Sequence, residues 1–148
     1  MEYLTTHDLV WINSTITGNV NRYNYVTLEA AMAGQYSYGD SHNVQGQAAH
    51  LLERLLCTRP FSEGNSRTAF IATLSFLNAN GFATRVDDAS GAAIVRAVTR
   101  GEKLAASAID ELSAPAAEPL AAAVTLRKLI SHEIGHHLEA LTILAEND

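Results

Sequence analysis

Two short stretches of this 148-residue chain carry side chains with chemistry to offer. In the first, Arg59-Pro60-Phe61-Ser62-Glu63-Gly64-Asn65-Ser66-Arg67, an acid, a glycine, an amide and a guanidinium stand just before an apolar run of helical period. A helix N-terminus has unsatisfied N–H groups and a partial positive charge, so it attracts anions. Gly64 lets the backbone pass close to a ligand, Glu63 can give a carboxylate oxygen to Mg²⁺, and Arg67 can donate to phosphate with two N–H groups. The spacing suits a cradle for a metal-bound polyphosphate. It equally suits a capped helix start with a solvated charge pair, and spacing does not choose between them. In the second stretch, His132-Glu133-Ile134-Gly135-His136, the histidines fall at i and i+4 on one helix face. That spacing can chelate Zn²⁺ with Glu133 as base. Against it, Glu139 and Thr142 stand where the extended form of the motif needs a glycine and a third histidine. A third ligand would have to come from Glu139, Glu146 or Asp148.

The elements that must position these residues are helical nearly throughout. Thr5 and Asp8 have capping-box spacing ahead of Leu9, Ile12 and Ile16, with Gly18 as the stop. Thr27 is the expected cap of a short helix ending at Gly34. Ala48, Leu51, Leu52, Leu55 and Leu56 make one stripe of a helix from Val44 to Thr58, which Pro60 prevents from continuing. A helix from Asn65 or Ser66 carries Phe70, Ile71, Leu74 and Leu77 to a stop at Gly81. An extended segment over 82–86 and helices over 90–100 and 104–112 are expected next. A long helix from Pro119 to about Glu146 follows, striped by Ile130, Ile134, Leu138 and Leu141, with Glu133 and His137 paired at i, i+4. The expected fold class is all-α, a single compact helical domain over 1–148, with at most a small hairpin within 19–43. Trp11 and Cys57 are expected in the interior.

Composition narrows the function. Ten basic against sixteen acidic residues give a net charge of −6, which disfavours a broad surface for nucleic acid or anionic membrane. One cysteine excludes an internal disulfide, the first residues lack the basic start of a signal peptide, and no apolar run reaches membrane-span length. The expected location is the cytoplasm.

The first stretch and its surroundings resemble the Fic/Doc signature, H-x-F-x-(D/E)-(G/A)-N-(G/K)-R. Phe61, Glu63, Gly64, Asn65 and Arg67 match, as do Thr68 and Ala69 of Doc-like members and the ending Phe76-Leu77-Asn78-Ala79-Asn80-Gly81-Phe82. The resemblance implies a compact helical domain binding Mg²⁺ with ATP or a related nucleotide. Fic members mostly transfer AMP to a protein hydroxyl, and Doc-type toxins transfer phosphate. By the same resemblance Glu63 would hold Mg²⁺, and Phe61, Gly64, Asn65, Ser66 and Arg67 would form the nucleotide-phosphate site. It also implies a target protein, docked by a flap within 19–43, and an antitoxin-like inhibitor as partners; oligomeric state stays open. Two positions depart from the pattern. The signature histidine, the general base, is Arg59, and a guanidinium offers donors but no acceptor. Ser66 replaces the glycine or lysine that separates the two activities, while Phe70, where AMP-transferring members often carry arginine, looks more Doc-like. His50, about two turns before the loop, and His42 are weak substitutes for the base. Tyr23, Tyr25, Tyr36 and Tyr38 could line a groove or simply pack.

Three functional expectations result. The first is a nucleotide-phosphate-binding protein whose transfer chemistry is impaired by Arg59. The second is an active transferase with a different base. The third is a metal-binding helical protein using His132 and His136, although Zn²⁺ is not the expected cofactor.

Overall fold

The computed structural model describes residues 1–36, 43–117, 125–146 and 148. In chain order the elements are α1 (Thr6–Thr17), α2 (Tyr25–Met32), a 3₁₀ turn (Ala33–Gln35), α3 (Val44–Thr58), α4 (Asn65–Ala79) and β1 (Phe82–Thr84). They continue with α5 (Asp88–Thr99), α6 (Ala105–Leu112), β2 (Ser113–Pro115), α7 (Leu126–His136) and α8 (Leu138–Leu144). The all-α expectation holds. No helix among the described residues is long and apolar enough to cross a membrane.

Local chemistry explains most boundaries. Thr5 Oγ1 accepts from the Asp8 amide, and Asp8 accepts from the Thr5 amide at 2.8 Å, so the capping box that starts α1 is complete. The cap of α2 is Asn24 rather than Thr27. Its Oδ1 accepts from the Thr27 amide at 3.0 Å, which moves the helix start two residues ahead of the expected cap. Helix α3 has the expected limits, but Cys57 is exposed, because it lies one step round the helix from the Leu55–Leu56 stripe. Asp87 caps α5 by accepting from the Ser90 amide at 2.8 Å; that bond holds its carboxyl below the ordinary range.

Helix α4 is the centre of the fold. Every residue from Thr68 to Leu77 is buried. It packs between α1, α3 and α7, and the buried residues of these helices form one continuous apolar cluster. Burying side chains such as Phe70, Phe76, Leu74 and Leu77 contributes about 1.5–3 kcal/mol each. Trp11 is only partly buried, with the Arg127 guanidinium 4.3 Å above its ring.

One expectation is narrowed and one needs correction. Among the described residues the paired strands lie outside 19–43: β1 pairs antiparallel with β2, Phe82 opposite Pro115 and Thr84 opposite Ser113. Between 19 and 36 the chain makes only a single bridge, Tyr23 to Phe61. The long helix is also not continuous. It breaks at His137 (φ −120°, ψ 32°), and Leu138 of its expected apolar stripe is exposed. The break follows from Asp88 on α5. One of its oxygens meets His137 Nδ1 at 2.8 Å, and the other accepts from the Ala140 amide at 3.1 Å, capping a new helix start. The expected start at Pro119, like Tyr38 and His42, lies outside the described residues.

Candidate active site: an anion cradle at the start of α4

The loop between α3 and α4 is held from three sides. At its start Arg59 adopts a left-handed backbone (φ 45°), the only non-glycine among the described residues to do so, and its amide still bonds to Leu55 O at 3.2 Å. Arg22–Asn24 then runs antiparallel to Pro60–Ser62. The Asn24 amide donates to Pro60 O at 2.9 Å and the Ser62 amide to Arg22 O at 2.8 Å. The Tyr23 ring lies 5.7 Å from that of Phe61, which is buried. Behind the turn, Asn65 accepts from the Phe61 amide at 2.9 Å and donates to Phe61 O at 2.7 Å. Both polar ends of its side chain are used internally, so Asn65 staples the loop rather than facing a ligand.

A third brace comes from α1. Asn13 Nδ2 donates to Glu63 O at 2.8 Å and to Thr68 Oγ1 at 3.1 Å. Asn21 donates in turn to Asn13 Oδ1 and Thr17 Oγ1, both at 2.9 Å. Sequence reasoning passed over Asn13, Thr17 and Asn21, since nothing local marks them. Gly64 sits on this brace with φ +80°, where a Cβ would come within 2.5 Å of Thr17 Cγ2 and 3.0 Å of Asn13 Nδ2. Only glycine fits there, for both backbone and space.

On the open side, donors converge on one anion. The Ser66 amide donates to Asp148 Oδ1 at 2.8 Å. The Arg67 amide and Nε donate to Asp148 Oδ2 at 3.2 and 3.0 Å. An Arg59 guanidinium nitrogen lies 3.5 Å from Asp148 Oδ1. The first turn of α4 thus grips a carboxylate in the manner expected for phosphate, with two amides, one short guanidinium contact and the helix dipole. Asp148 is the residue that sequence reasoning most conspicuously missed here, having weighed it only as a metal ligand. Glu63 is exposed, and among the described residues its carboxylate has no hydrogen bond or ion pair. It is therefore free to meet a cation beside the cradle. A cleft of 360 Å³ adjoins the site, lined by Arg59, Ser66, Arg96, Thr99, Arg100 and Glu146 among others, so three guanidinium groups border it. His50 is exposed and lines a different cleft with Glu53 and Cys57, so it does not replace a base at position 59. Phe70 is buried, its ring edge against His137, and presents nothing to the cradle.

The sequence model of the Fic/DOC family matches residues 3–77, just over half of the chain. This chain belongs to the Fic/DOC family. The match spans α1 to α4 and so includes the whole loop with its braces; α5–α8 and Asp148 lie beyond it. No curated protein and no solved structure matches the chain significantly.

The second motif of this Fic/DOC chain is split by the structure. The rings of His132 and His136 are exposed and nearly parallel, 5.4 Å apart. Glu133 turns inward, accepting from Asn78 Nδ2 at 2.6 Å, with His137 Nε2 3.1 Å from its other oxygen. The expected Glu133–His137 pair is therefore present, but buried. Burial pushes the Glu133 carboxyl up; contacts with His137 and Asn78 outweigh it, so it stays below the ordinary value of 4.5. The contact with Glu133, and then that with Asp88, raises His137 above 6.5 against the effect of burial. Among the described residues no group of three His, Cys, Asp or Glu is arranged to hold a metal ion. Asp148, a third ligand weighed from the sequence, is engaged by Arg67 instead.

Proposed function

We propose that this Fic/DOC chain binds a nucleotide through its phosphates at the start of α4, and that Arg59 leaves it impaired in transferring AMP or phosphate to a protein hydroxyl. The observation that carries the reading is the convergence of the Ser66 amide, the Arg67 amide and Arg67 Nε on one carboxylate at 2.8–3.2 Å. A carboxylate held this way stands in for two oxygens of a phosphate group. Arg59 and, across the cleft, Arg96 and Arg100 extend the positive surface a polyphosphate needs. Mg²⁺, when bound with the nucleotide, would neutralise phosphate charge, and the exposed carboxylate of Glu63 beside the cradle supports a role in holding it.

In the family pattern the residue at position 59 takes the proton from the attacking hydroxyl. Here that position can donate to an anion but cannot accept. Losing a general base costs a rate factor of about 10²–10⁴. The rest of the loop is built independently of position 59, because Asn65, Asn13 and Gly64 brace it from within. Arg59→His, assayed with labelled ATP and Mg²⁺ on itself and on a cell lysate, is therefore expected to create transfer that wild type lacks, abolished by Glu63→Ala. Absence of both nucleotide binding and labelling in wild type and Arg59→His alike would overturn the proposal. Robust labelling by wild type, lost in Glu63→Ala, would favour the alternative of an active enzyme with a different base. Buried Phe70 favours the Doc-like side of the family, since no second guanidinium enters from that position.

A further inference from the structure

We propose that His132 and His136 are half of a zinc site, which a second copy of this chain completes. Helix α7 packs on α4 and α1 with Leu129, Ile130 and Glu133 buried, and its outer side exposes Ser131, His132, Gly135 and His136. The two imidazoles already stand side by side. A nitrogen bound to Zn²⁺ lies about 2.0–2.1 Å from the ion, so two imidazoles at a tetrahedral angle have ring centres roughly 5 Å apart. The rings of His132 and His136 are 5.4 Å apart and 16° from parallel, and the soft χ2 torsion lets a nitrogen of each turn onto one ion.

Among the described residues one copy supplies no third donor. The nearest candidates are committed elsewhere. Glu133 is buried and accepts from Asn78 Nδ2 at 2.6 Å, and His137 is buried between Glu133 at 3.1 Å and Asp88 at 2.8 Å. A structural zinc ion takes four ligands, so two positions stay open on one chain. An isologous pair of chains presents the same patch twice, and two histidines from each copy make a complete set of four. Gly135, between the two histidines in sequence, keeps the outer side of α7 low: a Cβ there would meet nothing within 4 Å, so a second helix has room to approach. Each copy carries a net charge of −6, so two copies repel until a cation enters between them. Pairing through this face is therefore metal-dependent.

Sedimentation velocity and calorimetry of EDTA-treated, dialysed protein titrated with zinc chloride test this. The expected result is a monomer before zinc, a dimer after it, and binding that saturates at about half an equivalent per chain. Renewed EDTA should return the monomer. His132→Ala and His136→Ala each remove an exposed ring and should each abolish the zinc-dependent dimer, with thermal melts confirming that both variants fold. His50→Ala, which removes an exposed histidine from α3, should leave the dimer unchanged. One zinc per chain with no gain in mass would overturn the proposal, as would a dimer that persists in EDTA or a zinc-dependent dimer that survives in both single variants. Absence of binding at about 1 mM zinc would overturn it as well.

Discussion

Replacing Gly64 with alanine separates the two reasons for glycine in the loop. A left-handed backbone costs a residue with a Cβ about 1–2 kcal/mol. At φ +80° that cost applies to Gly64, and equally to Gly18 (φ +75°) and Gly101 (φ +74°), where a Cβ would meet nothing within 4 Å. At Gly64 the new Cβ would also stand 2.5 Å from Thr17 Cγ2, and forcing a methyl into such a site adds about 1–3 kcal/mol. Gly64→Ala should therefore destabilise by about 2–5 kcal/mol and Gly18→Ala by only about 1–2 kcal/mol. At about 3 °C per kcal/mol for a chain of this size, the melting point should fall by about 6–15 °C in the first case. Thr17→Ser deletes Cγ2 and keeps the hydroxyl that bonds to Asn13 O at 2.7 Å. In the Gly64→Ala background it should restore about 1 kcal/mol or more beyond its effect alone. Urea melts of the four proteins in this cycle, with Gly18→Ala as control, supply the numbers. If Gly64→Ala costs no more than Gly18→Ala, or the coupling is below about 0.5 kcal/mol, the close approach of α1 to the turn is wrong.

Other outcomes follow from the same geometry. His137 is raised above 6.5, so its contribution is complete below that pH and fades as pH rises through the raised value; Glu133 is lowered below 4.5, so its contribution fades as pH falls through the lowered value. The melting point should thus decline on the alkaline side in wild type and less in His137→Gln; an identical decline in both would refute the role of this cluster, in which Asp88, Glu133 and the His136 ring face His137. Asn65→Ala leaves the buried amide and carbonyl of Phe61 without their partner and should cost about 2–4 kcal/mol in urea melts, whereas a loss under about 1 kcal/mol would show that the staple is dispensable. Cys57 should react with a thiol reagent in the native protein as fast as in urea, and native protection would contradict its exposed position.

What was legible in the sequence was whatever local pattern controls. The stripes of α3 and α4, the stop before Pro60 and the Thr5–Asp8 box are set by residues within a turn or two, and the structure keeps them. Errors arose where a distant residue overrides the pattern. The apolar spacing through Ile134, Leu138 and Leu141 reads as one helix, and the break at His137 comes from Asp88, 49 residues away in sequence. Ser113–Pro115, just after α6, becomes a strand only because β1 supplies its partner. In the site, the acid, glycine and arginine announced an anion cradle, but Asp148 reaches Arg67 across 81 residues. Asn13 has no motif at all, because its role is defined by the loop 50 residues later whose carbonyl it holds.

That last contact bears on how the family's signature should be judged in truncated or shuffled chains. A fragment beginning after residue 24 would retain every signature residue from Arg59 to Arg67, yet lose Asn13, Thr17 and Asn21 from behind it and the bridged segment Arg22–Asn24 from its flank. With Glu63 O and Thr68 Oγ1 released, the first turn of α4 would fray and its amides would scatter from their common aim. Such a fragment would still score as a complete motif while being a slack one: the working unit is the loop together with the first helix that tensions it.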